Sequence, residues 1–414
     1  MNLFVIVFIL LNSILLLFLK KKWAPLPLLC GTCYMPLTQA IEVGPFHFTI
    51  IRILIAVGVV RIFKQKEYLK IKKNSIDWAL IVWSLWALFS SLFHNDTSSA
   101  LVFRLGIVYN TLGIYFLLRI FCSSFEDLIS LFHIIAIILT PLALLMLYEK
   151  LYAYNLFSVL GAKEFPAIRE GHVRAQGPFG HSILAGTVGA VCLPMMIGFW
   201  SQNKKIAFVG ILSCLIIIYA STSSGPILSG LAGICGIFFW AYRKRVKIFK
   251  WMILFIYVAL DVFMKAPAYF ILGKIDITGG STGWYRARLI QSAFEHLSEW
   301  WLGGTDYTRH WMQTAVAWSQ NHTDITNQYL EYGVIGGIPL MIIFIIIIYK
   351  EFSYIGNIYE KISENEKDLK FITWTMGASL FAHAVTCISV SYFDQSFIFL
   401  YMTISIIASM ASFD

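Results

Sequence analysis

The chain has 414 residues, 58% of them hydrophobic and 13% charged, and it carries a formal net charge of +9 at pH 7. This composition excludes an ordinary soluble enzyme, because apolar runs of the roughly 20 residues that a bilayer-crossing helix needs recur from end to end. The positive charge indicates how the chain is oriented in a membrane, together with attraction to anionic lipid headgroups, rather than a nucleic-acid partner.

Thirteen apolar segments are candidate membrane spans. Lipid offers no partners to backbone polar groups, so segments of this length are expected to be helices. The sequence therefore predicts an all-α fold, a polytopic membrane helical bundle of about 12–13 transmembrane helices, built as a single integral membrane domain over residues 1–414. In chain order the segments are residues 3–19, 24–42, 47–63, 76–94, 100–120, 127–148, 181–200, 206–220, 226–242, 248–264, 332–349, 371–389 and 395–411.

Lys and Arg residues predict which side of the membrane each loop occupies, since short loops rich in them stay in the cytoplasm. Most of the 32 basic residues fall on one side when the loops alternate. Two long polar segments, residues 150–180 and 265–330, then share the extracytoplasmic face with two short turns, Ser221–Gly225 and Ser391–Gln395. We expect the two long segments to form the active site.

Neither the N-terminal segment nor the cysteines indicate processing or metal chemistry. The three lysines Lys20–Lys22 follow the first apolar run, whereas a cleavable signal peptide carries its positive charge before that run. We therefore interpret the run as the first span. All seven cysteines lie within or at the edges of predicted spans. Cys30 and Cys33 form an isolated pair without a second ligand pair. They are expected to be small buried hydrophobic residues, and no metal or cofactor is predicted.

Two arginines lie about one turn inside predicted spans. Arg52 is in the third span and Arg104 in the fifth, each near the extracytoplasmic end. A charge at this depth is costly and usually faces a cavity or a partner. The pair is therefore a candidate substrate-binding site for a strongly anionic headgroup such as a pyrophosphate. The alternative is that each side chain extends to a lipid phosphate at the membrane surface.

The segment before the seventh span reads Arg174-Ala-Gln-Gly-Pro-Phe-Gly-His181, and its glycine and proline steps predict a turn. An arginine beside an exposed backbone turn can hold a phosphate through paired N–H donors, so Arg174 is a candidate substrate-binding residue. The alternative is an arginine that caps a helix end or meets a headgroup. The turn Ser221-Thr-Ser-Ser-Gly-Pro226 suits an anion at a helix start, and it equally suits plain helix capping.

The long segment after the tenth span is expected to contain helices. Residues 286–301 carry apolar side chains at three- and four-residue steps, and a second helix is predicted from about Arg309 to Ser319. Trp284 and Tyr285 precede Arg286, so we interpret both as contacts for a sugar or a lipid. Trp300 and Trp301 are instead expected to join an interfacial belt of aromatic residues.

Asn321-His322-Thr-Asp324 is the segment best suited to acid–base chemistry. An imidazole titrates near neutrality, and a neighbouring carboxylate can orient it for proton transfer. The alternative is a plain surface histidine. His296, on an apolar helix face, and His310, beside Arg309, are weaker candidates for the same role.

The order of these motifs resembles the O-antigen ligase and polysaccharide polymerase superfamily of bacterial inner membranes. The resemblance covers about residues 170–340, and the first six spans match only in hydropathy. The motifs are Arg174-Ala-Gln-Gly-Pro-Phe-Gly-His181 before a span, Ser223-Ser-Gly-Pro226 in a short turn, Thr282-Gly-Trp-Tyr-Arg286 at the start of the long loop, Asn321-His-Thr-Asp324, and Glu331-Tyr-Gly-Val-Ile-Gly-Gly337.

The resemblance implies a membrane glycosyltransferase that moves a glycan from undecaprenyl pyrophosphate to an acceptor at the periplasmic face of the inner membrane. The family's loop arginine corresponds to Arg286, with Arg288 as the neighbour that a register shift would select, and its loop histidine corresponds to His322. Many members have Ser-Arg-Gly where this chain has Ser223-Ser224-Gly225. Arg174, Arg52 or Arg104 would then have to replace the missing arginine.

The expected chemistry follows from the reaction itself. Cleavage of the sugar–phosphate bond leaves negative charge on the departing pyrophosphate, which Arg286 and Arg174 would stabilise. His322 would accept the proton of the acceptor hydroxyl, with Asp324 or Asn321 orienting its ring. Direct attack would invert the anomeric configuration. Neither extracytoplasmic loop contains an Asp-x-Asp pair, so the reaction is predicted to be independent of metal.

Two other classes of function remain open. A polysaccharide or lipid-linked oligosaccharide flippase would also have a helical bundle with intramembrane arginines, but it would not need a long loop rich in Arg and His. A non-catalytic assembly protein would tolerate alanine at Arg286 and His322. Within the enzyme class, the acceptor is either a growing glycan, for a polymerase working with a chain-length regulator, or the lipid A core, for a ligase.

Overall fold

The structure is a computed structural model that describes residues 3–70, 72–245, 251, 255, 258–264, 267–274, 282–312 and 319–413. In these parts of the chain, eight helices are long and apolar enough to cross a membrane, and two shorter apolar helices lie near the ends. The only strands in the same parts form two hairpins. The predicted all-α, multi-pass membrane fold is therefore confirmed.

The long apolar helices occur in the same chain order as the predicted spans. The tenth predicted span, residues 248–264, lies largely outside the described residues. The helices are α1 (Leu3–Phe18), α2 (Pro25–Tyr34), α3 (Ile50–Gln65), α4 (Ser75–Phe89), α5 (Thr97–Phe121), α6 (Phe125–Tyr152), α7 (Ser182–Gly198), α8 (Lys204–Ser221), α9 (Ser224–Phe238), α10 (Gly283–Glu295), α11 (Leu297–Trp300), α12 (Gln328–Lys361), α13 (Lys367–Ser389) and α14 (Phe397–Met410). The strands are β1 (Ala40–Val43), β2 (Phe46–Thr49), β3 (Ala167–Arg169) and β4 (His172–Arg174).

Polar side chains define where several of the long helices begin. Asn74 caps α4 and forms a reciprocal capping box with Asp77. Asn327 caps α12 by accepting a hydrogen bond from the Leu330 N–H group at 3.0 Å. Such caps satisfy N–H groups that have no partner within the helix. The apolar runs therefore start as helices at defined residues.

The loops lie at two opposite ends of the bundle. At one end Lys21 forms an ion pair with Asp127 at 3.7 Å. At the other end the Gly180 N–H group donates to Asp394 at 2.8 Å. We call this second end the loop face, and it carries residues 153–181, 282–312 and 319–327.

The predicted span over residues 24–42 is wrong. Helix α2 ends at Tyr34, and the chain then turns into the antiparallel hairpin of β1 and β2. Met35 has an extended conformation, with φ −112° and ψ 122°. It precedes Pro36, whose ring disfavours the helical conformation of the residue before it. The apolar composition continued past this proline, but the helix could not.

The helical prediction for residues 286–301 is confirmed as α10 and α11, which are interrupted at His296. Their buried side chains pack into a small separate core on the loop face. Trp300 belongs to this core, is 3% exposed, and donates from Nε1 to the Ala293 carbonyl oxygen at 2.9 Å. The expected place of Trp300 in an interfacial belt is therefore wrong, because its indole N–H finds a partner inside the protein. In the second predicted helix, Arg309–Trp311 forms a 3-10 turn, and residues 313–318 lie outside the described residues.

Helix α12 is broken by Gly336 and Gly337. Gly337 has φ 75° and ψ −178°, a conformation open almost only to glycine. Residues 301–305 lie against the break, and the Thr305 N–H group donates to the Val334 carbonyl oxygen at 2.9 Å. A backbone group released by the break thus acquires a partner. The break also fixes the loop-face segment to the bundle.

Gly337→Ala is expected to lower the free energy of unfolding by about 1–3 kcal/mol, the cost of a non-glycine residue in this conformation. An added Cβ would also lie 2.1 Å from the Leu302 carbonyl oxygen, so residues 301–305 would have to move. Thermal unfolding in detergent micelles measures the effect. Gly356→Ala in the same helix meets nothing within 4 Å, and it should be neutral or stabilise by about 0.5–1 kcal/mol. Equal stability of the two variants would contradict the prediction.

Candidate active site

The turn predicted between Arg174 and His181 is present, and a buried carboxylate accepts hydrogen bonds from its backbone. Glu149 of α6 accepts hydrogen bonds from the N–H groups of Gln176, at 3.0 Å, and Gly177, at 2.8 Å. Gly177 has a positive φ of 58°, which glycine adopts without strain. These bonds give the turn a fixed shape before any ligand arrives.

Arg174 reaches from this turn to the start of α9. Its side chain is buried, with the residue 8% exposed, and Nη2 donates to the Ser223 hydroxyl at 2.7 Å. The Nε atom of Arg174 is buried without a hydrogen-bond partner among the described residues. The Ser223 hydroxyl donates to the Ser221 carbonyl oxygen at 2.8 Å and does not cap α9. The plain capping alternative for this hydroxyl is therefore not what the structure contains.

Arg286 enters the same region from the first turn of α10. The residue is 9% exposed, and Nε donates to the Ser389 carbonyl oxygen, at the end of α13, at 2.8 Å. Burial lowers the pKa of Arg286, the Asp324 carboxylate opposes this shift, and Arg169 adds to it. The pKa of Arg174 is lowered by burial and then by Arg169 and Arg286. We call these three arginines, Arg169, Arg174 and Arg286, the basic cluster.

His181, the last residue of the turn, responds to the same positive field. Burial and then the charges of Arg174, Lys163, Arg169 and Arg286 lower its pKa to about 4. The imidazole is therefore neutral at pH 7. Its Nδ1 accepts a hydrogen bond from the Ile183 N–H group at 3.1 Å, which caps α7. Uncharged His181 therefore lies beside the basic cluster, whose cations repel one another.

Asp324 and Tyr285 connect the basic cluster to the Asn321–Asp324 segment. The Tyr285 hydroxyl lies 2.9 Å from the Thr323 hydroxyl and donates to the Asp324 carbonyl oxygen at 2.9 Å. Burial raises the pKa of the Asp324 carboxyl, and Arg286 opposes this increase. The segment is therefore fastened to α10 one residue before Arg286.

His322 is half-buried, and its Nδ1 lies 2.9 Å from the Ser319 hydroxyl. The same hydroxyl accepts hydrogen bonds from the N–H groups of Asn321 and His322, both at 3.2 Å. Burial lowers the pKa of His322, and the negative charge of Asp306 raises it. The direction of the hydrogen bond between Nδ1 and the Ser319 hydroxyl depends on the tautomer of His322.

Arg104 lies in a buried junction between the bundle and the loop-face segment. It donates from Nε to the Ser90 hydroxyl at 3.1 Å, and its Nη2 contacts the Ile335 carbonyl oxygen and the His94 ring. His94 in turn contacts the Asp306 carboxylate. Partial burial raises the pKa of Asp306, but hydrogen bonds from His94 and the Asn95 N–H group outweigh it and leave the pKa lowered. The charge of Asp306 also raises the pKa of His322, so this junction is coupled electrostatically to that histidine.

Neither His94 nor Asp306 is among the candidate residues predicted from the sequence. The available signal was the cost of an arginine inside a span, which calls for a partner. His94 ends the preceding predicted span and Asp306 lies in the long loop, both on the same side of the membrane in the predicted topology. No local motif links residues so far apart in the chain.

The remaining candidates lie apart from the basic cluster. Arg52 donates to the His47 carbonyl oxygen at 2.6 Å and to the Asn110 side chain at 3.2 Å, which ties α3 to the first hairpin and to α5. Arg288 lies 3.5 Å from Glu295 on the outer side of α10. Trp284 is 61% exposed. The structure thus brings together Arg174, Arg286, Asp324 and Tyr285, with His322 two residues from Asp324.

A model of the family described as O-Antigen ligase matches residues 207–345. The matched stretch includes the turn with Ser223, both Arg286 and Arg288, and the Asn321–Asp324 segment, and it reaches past the break in α12. No curated protein matches the chain. The family comprises membrane ligases and polymerases of the glycosyltransferase type. The chain is therefore a multi-pass membrane protein that is similar to the O-antigen ligase family over residues 207–345.

Proposed function

We propose that the protein transfers a glycan from undecaprenyl pyrophosphate to an acceptor hydroxyl at the periplasmic face of the bacterial inner membrane. The convergence of Arg174 and Arg286 with the Ser223 hydroxyl carries this proposal. Arg286 lowers the pKa of Arg174, and Arg169 lowers the pKa of both, so these buried guanidinium groups are costly to hold together. A dianionic pyrophosphate would offset that cost. The match to the O-antigen ligase family supports a lipid-linked glycan as the substrate that contains this pyrophosphate.

Arg174 replaces the arginine that many family members have at the position of Ser224. Its guanidinium lies on Ser223, in the same turn, although Arg174 comes from a strand about fifty residues earlier in the chain. A guanidinium is always charged and presents a planar set of donors that matches phosphate oxygens. The position of the charge is therefore kept while its origin in the sequence changes. Arg52 and Arg288 would contact the lipid or glycan at the periphery, and Arg104 would position the loop.

The transfer step uses groups on both sides of the reacting carbon. The acceptor oxygen attacks the anomeric carbon, the bond from that carbon to the pyrophosphate oxygen breaks, and the electron pair leaves with the pyrophosphate. Arg174 and Arg286 stabilise the charge that develops there. The His322 imidazole takes the acceptor proton, and the Asp324 carboxylate balances the charge of Arg286. Direct attack inverts the anomeric configuration, and no step requires a metal ion.

The exposed ring of Trp284 and the half-buried ring of Tyr285 directly precede Arg286 on the first turn of α10. Aromatic faces pack well on the apolar faces of sugars and lipid chains. We assign Trp284 to the glycan or the polyprenyl chain. Tyr285 would act on the acceptor side, because its hydroxyl already contacts the segment that carries His322.

A deletion strain complemented with wild-type or variant protein tests the proposal, with lipid-linked intermediates and mature polysaccharide separated by gel. Loss of polymer or of capped lipid A core, with carrier-linked units accumulating on the periplasmic side, supports transfer. The band pattern shows whether the acceptor is a glycan, as for a polymerase with a chain-length regulator, or the lipid A core. Accumulation on the cytoplasmic side, protected from a glycosidase added outside, would instead establish the flippase alternative.

A further inference from the structure

Three side chains with metal-binding atoms meet on the loop face, at the corner where α10 passes into α11. His296 lies between the two helices, Glu299 is in α11, and His310 is in the 3-10 turn that follows. Their ligand atoms all lie within 4.8 Å of one another. His310 Nε2 is 2.9 Å from one Glu299 carboxylate oxygen and 3.0 Å from the other. The rings of His296 and His310 contact edge to face, with centroids 4.7 Å apart.

Neighbouring groups hold these side chains in the orientation that metal ligands require. The His296 ring lies with Nδ1 2.9 Å from the Ser292 carbonyl oxygen, so that Nδ1–H donates and Nε2 is left to coordinate. The Trp311 indole N–H donates to Glu299 at 3.2 Å. The Ser292 hydroxyl donates to the Trp311 carbonyl oxygen at 2.8 Å and joins these two supports. Histidine ligands held by a backbone carbonyl and carboxylates held by a donor are typical of metal sites.

We propose that His296, Glu299 and His310 form a site for a divalent transition metal of the zinc class. Two imidazoles and one carboxylate are a known zinc ligand set, and a water molecule completes the tetrahedron. Metal–ligand bonds of about 2.0–2.2 Å require the ligand atoms to lie closer together than the largest separation of 4.8 Å. Metal binding should therefore shorten that largest separation by about 1 Å. Magnesium and calcium prefer sets made only of oxygen.

The site would act on the position of the loop rather than on the reaction. Residues 296–310 form a closed segment once a metal joins its two ends. Within the segment, Gly303 packs on Phe93, and Asp306 meets His94 in the junction with Arg104. A bound metal would therefore restrict the positions available to Gly303 and Asp306, the residues that attach the loop to the bundle. His322 and Arg286 take no part in the metal site.

Zinc binding by the full-length protein in detergent micelles, purified without a histidine tag, tests the proposal. The protein is treated with a chelator, exchanged into metal-free buffer, and titrated with zinc in competition with a chromophoric chelator, while elemental analysis gives zinc per chain. We expect one tightly bound zinc ion per chain. His296→Ala and His310→Ala should each weaken zinc binding by at least about 10- to 100-fold. That is the loss expected when a residue that only supports a metal ligand is removed.

Two further variants make the test decisive. Glu299→Gln keeps the shape of the side chain but removes its charge, so it should weaken zinc binding without unfolding the corner. His47→Ala is the matched control. His47 lies 3.5 Å from Glu42 on an exposed hairpin, so the two form a histidine–glutamate pair like His310 and Glu299 but without a second histidine. It should leave the affinity unchanged. Equal zinc affinity in wild type and the His296→Ala/His310→Ala double variant would overturn the proposal.

Discussion

Arg286→Ala is expected to slow glycan transfer about 100- to 1,000-fold, the effect of removing one preorganised donor from a developing anion. Arg286 is held by the Ser389 carbonyl oxygen and faces the Asp324 carboxylate, so its position is set before the donor substrate binds. Alanine removes the charge and the donors together. Initial rates with purified protein and lipid-linked donor, at equal amounts of folded enzyme, measure the loss.

Arg286→Lys and Lys274→Ala complete this experiment. Lysine restores the charge but not the planar set of donors or the bond to Ser389, so Arg286→Lys should recover only part of the rate. Lys274 is exposed, lies shortly before α10, and is the matched removal of a cation from the same segment. It should leave the rate unchanged. If Arg286→Ala transfers glycan as fast as Lys274→Ala, Arg286 has no part in the reaction.

His322→Ala is expected to slow transfer about 100- to 10,000-fold, the range for loss of a general base. Only the neutral imidazole can take a proton, so the wild-type rate should fall as the pH drops through the pKa of His322. Burial lowers that pKa below its usual value of 6.5. The acid limb of the pH profile should therefore lie below pH 6.5, with a full rate at pH 7. In His322→Ala the limb should disappear together with most of the activity.

Asp306→Asn gives a second check on the pH profile. The charge of Asp306 raises the pKa of His322, so its removal should move the acid limb to lower pH. His47→Ala, which removes an exposed histidine, should retain the wild-type profile. A wild-type acid limb that persists in His322→Ala would assign the titration to another group and remove His322 from the mechanism.

The hydropathy of the chain was sufficient to predict the multi-pass helical fold, because the length of an apolar run translates directly into a spanning helix. It failed over residues 24–42, where composition is apolar but Pro36 prevents a helix from continuing. It also failed at Trp300, whose partner is a backbone carbonyl seven residues away and not a lipid surface. Both errors arise because hydropathy averages over a window and does not report single backbone or hydrogen-bond constraints.

Long-range pairings within the site were less accessible from the sequence. The motifs around Arg174 and Arg286 were identified separately, but only the structure puts the Arg174 guanidinium on Ser223. The same holds for His94 and Asp306, which are 212 positions apart. Such pairs depend on how helices pack, and a single sequence contains no signal for packing partners. Local patterns therefore identify the elements of the site, whereas its connections follow from the fold.

The break in α12 has an electrostatic consequence. It separates the first two turns, residues 328–335, into a short helix with its own dipole, equivalent to roughly half an elementary charge of opposite sign at each end. The negative end is the Ile335 carbonyl group, where the Arg104 guanidinium neutralises it. The positive end opens toward the segment that carries His322 and Asp324. An unbroken helix would have placed its negative pole on the far side of the membrane, beyond the reach of Arg104.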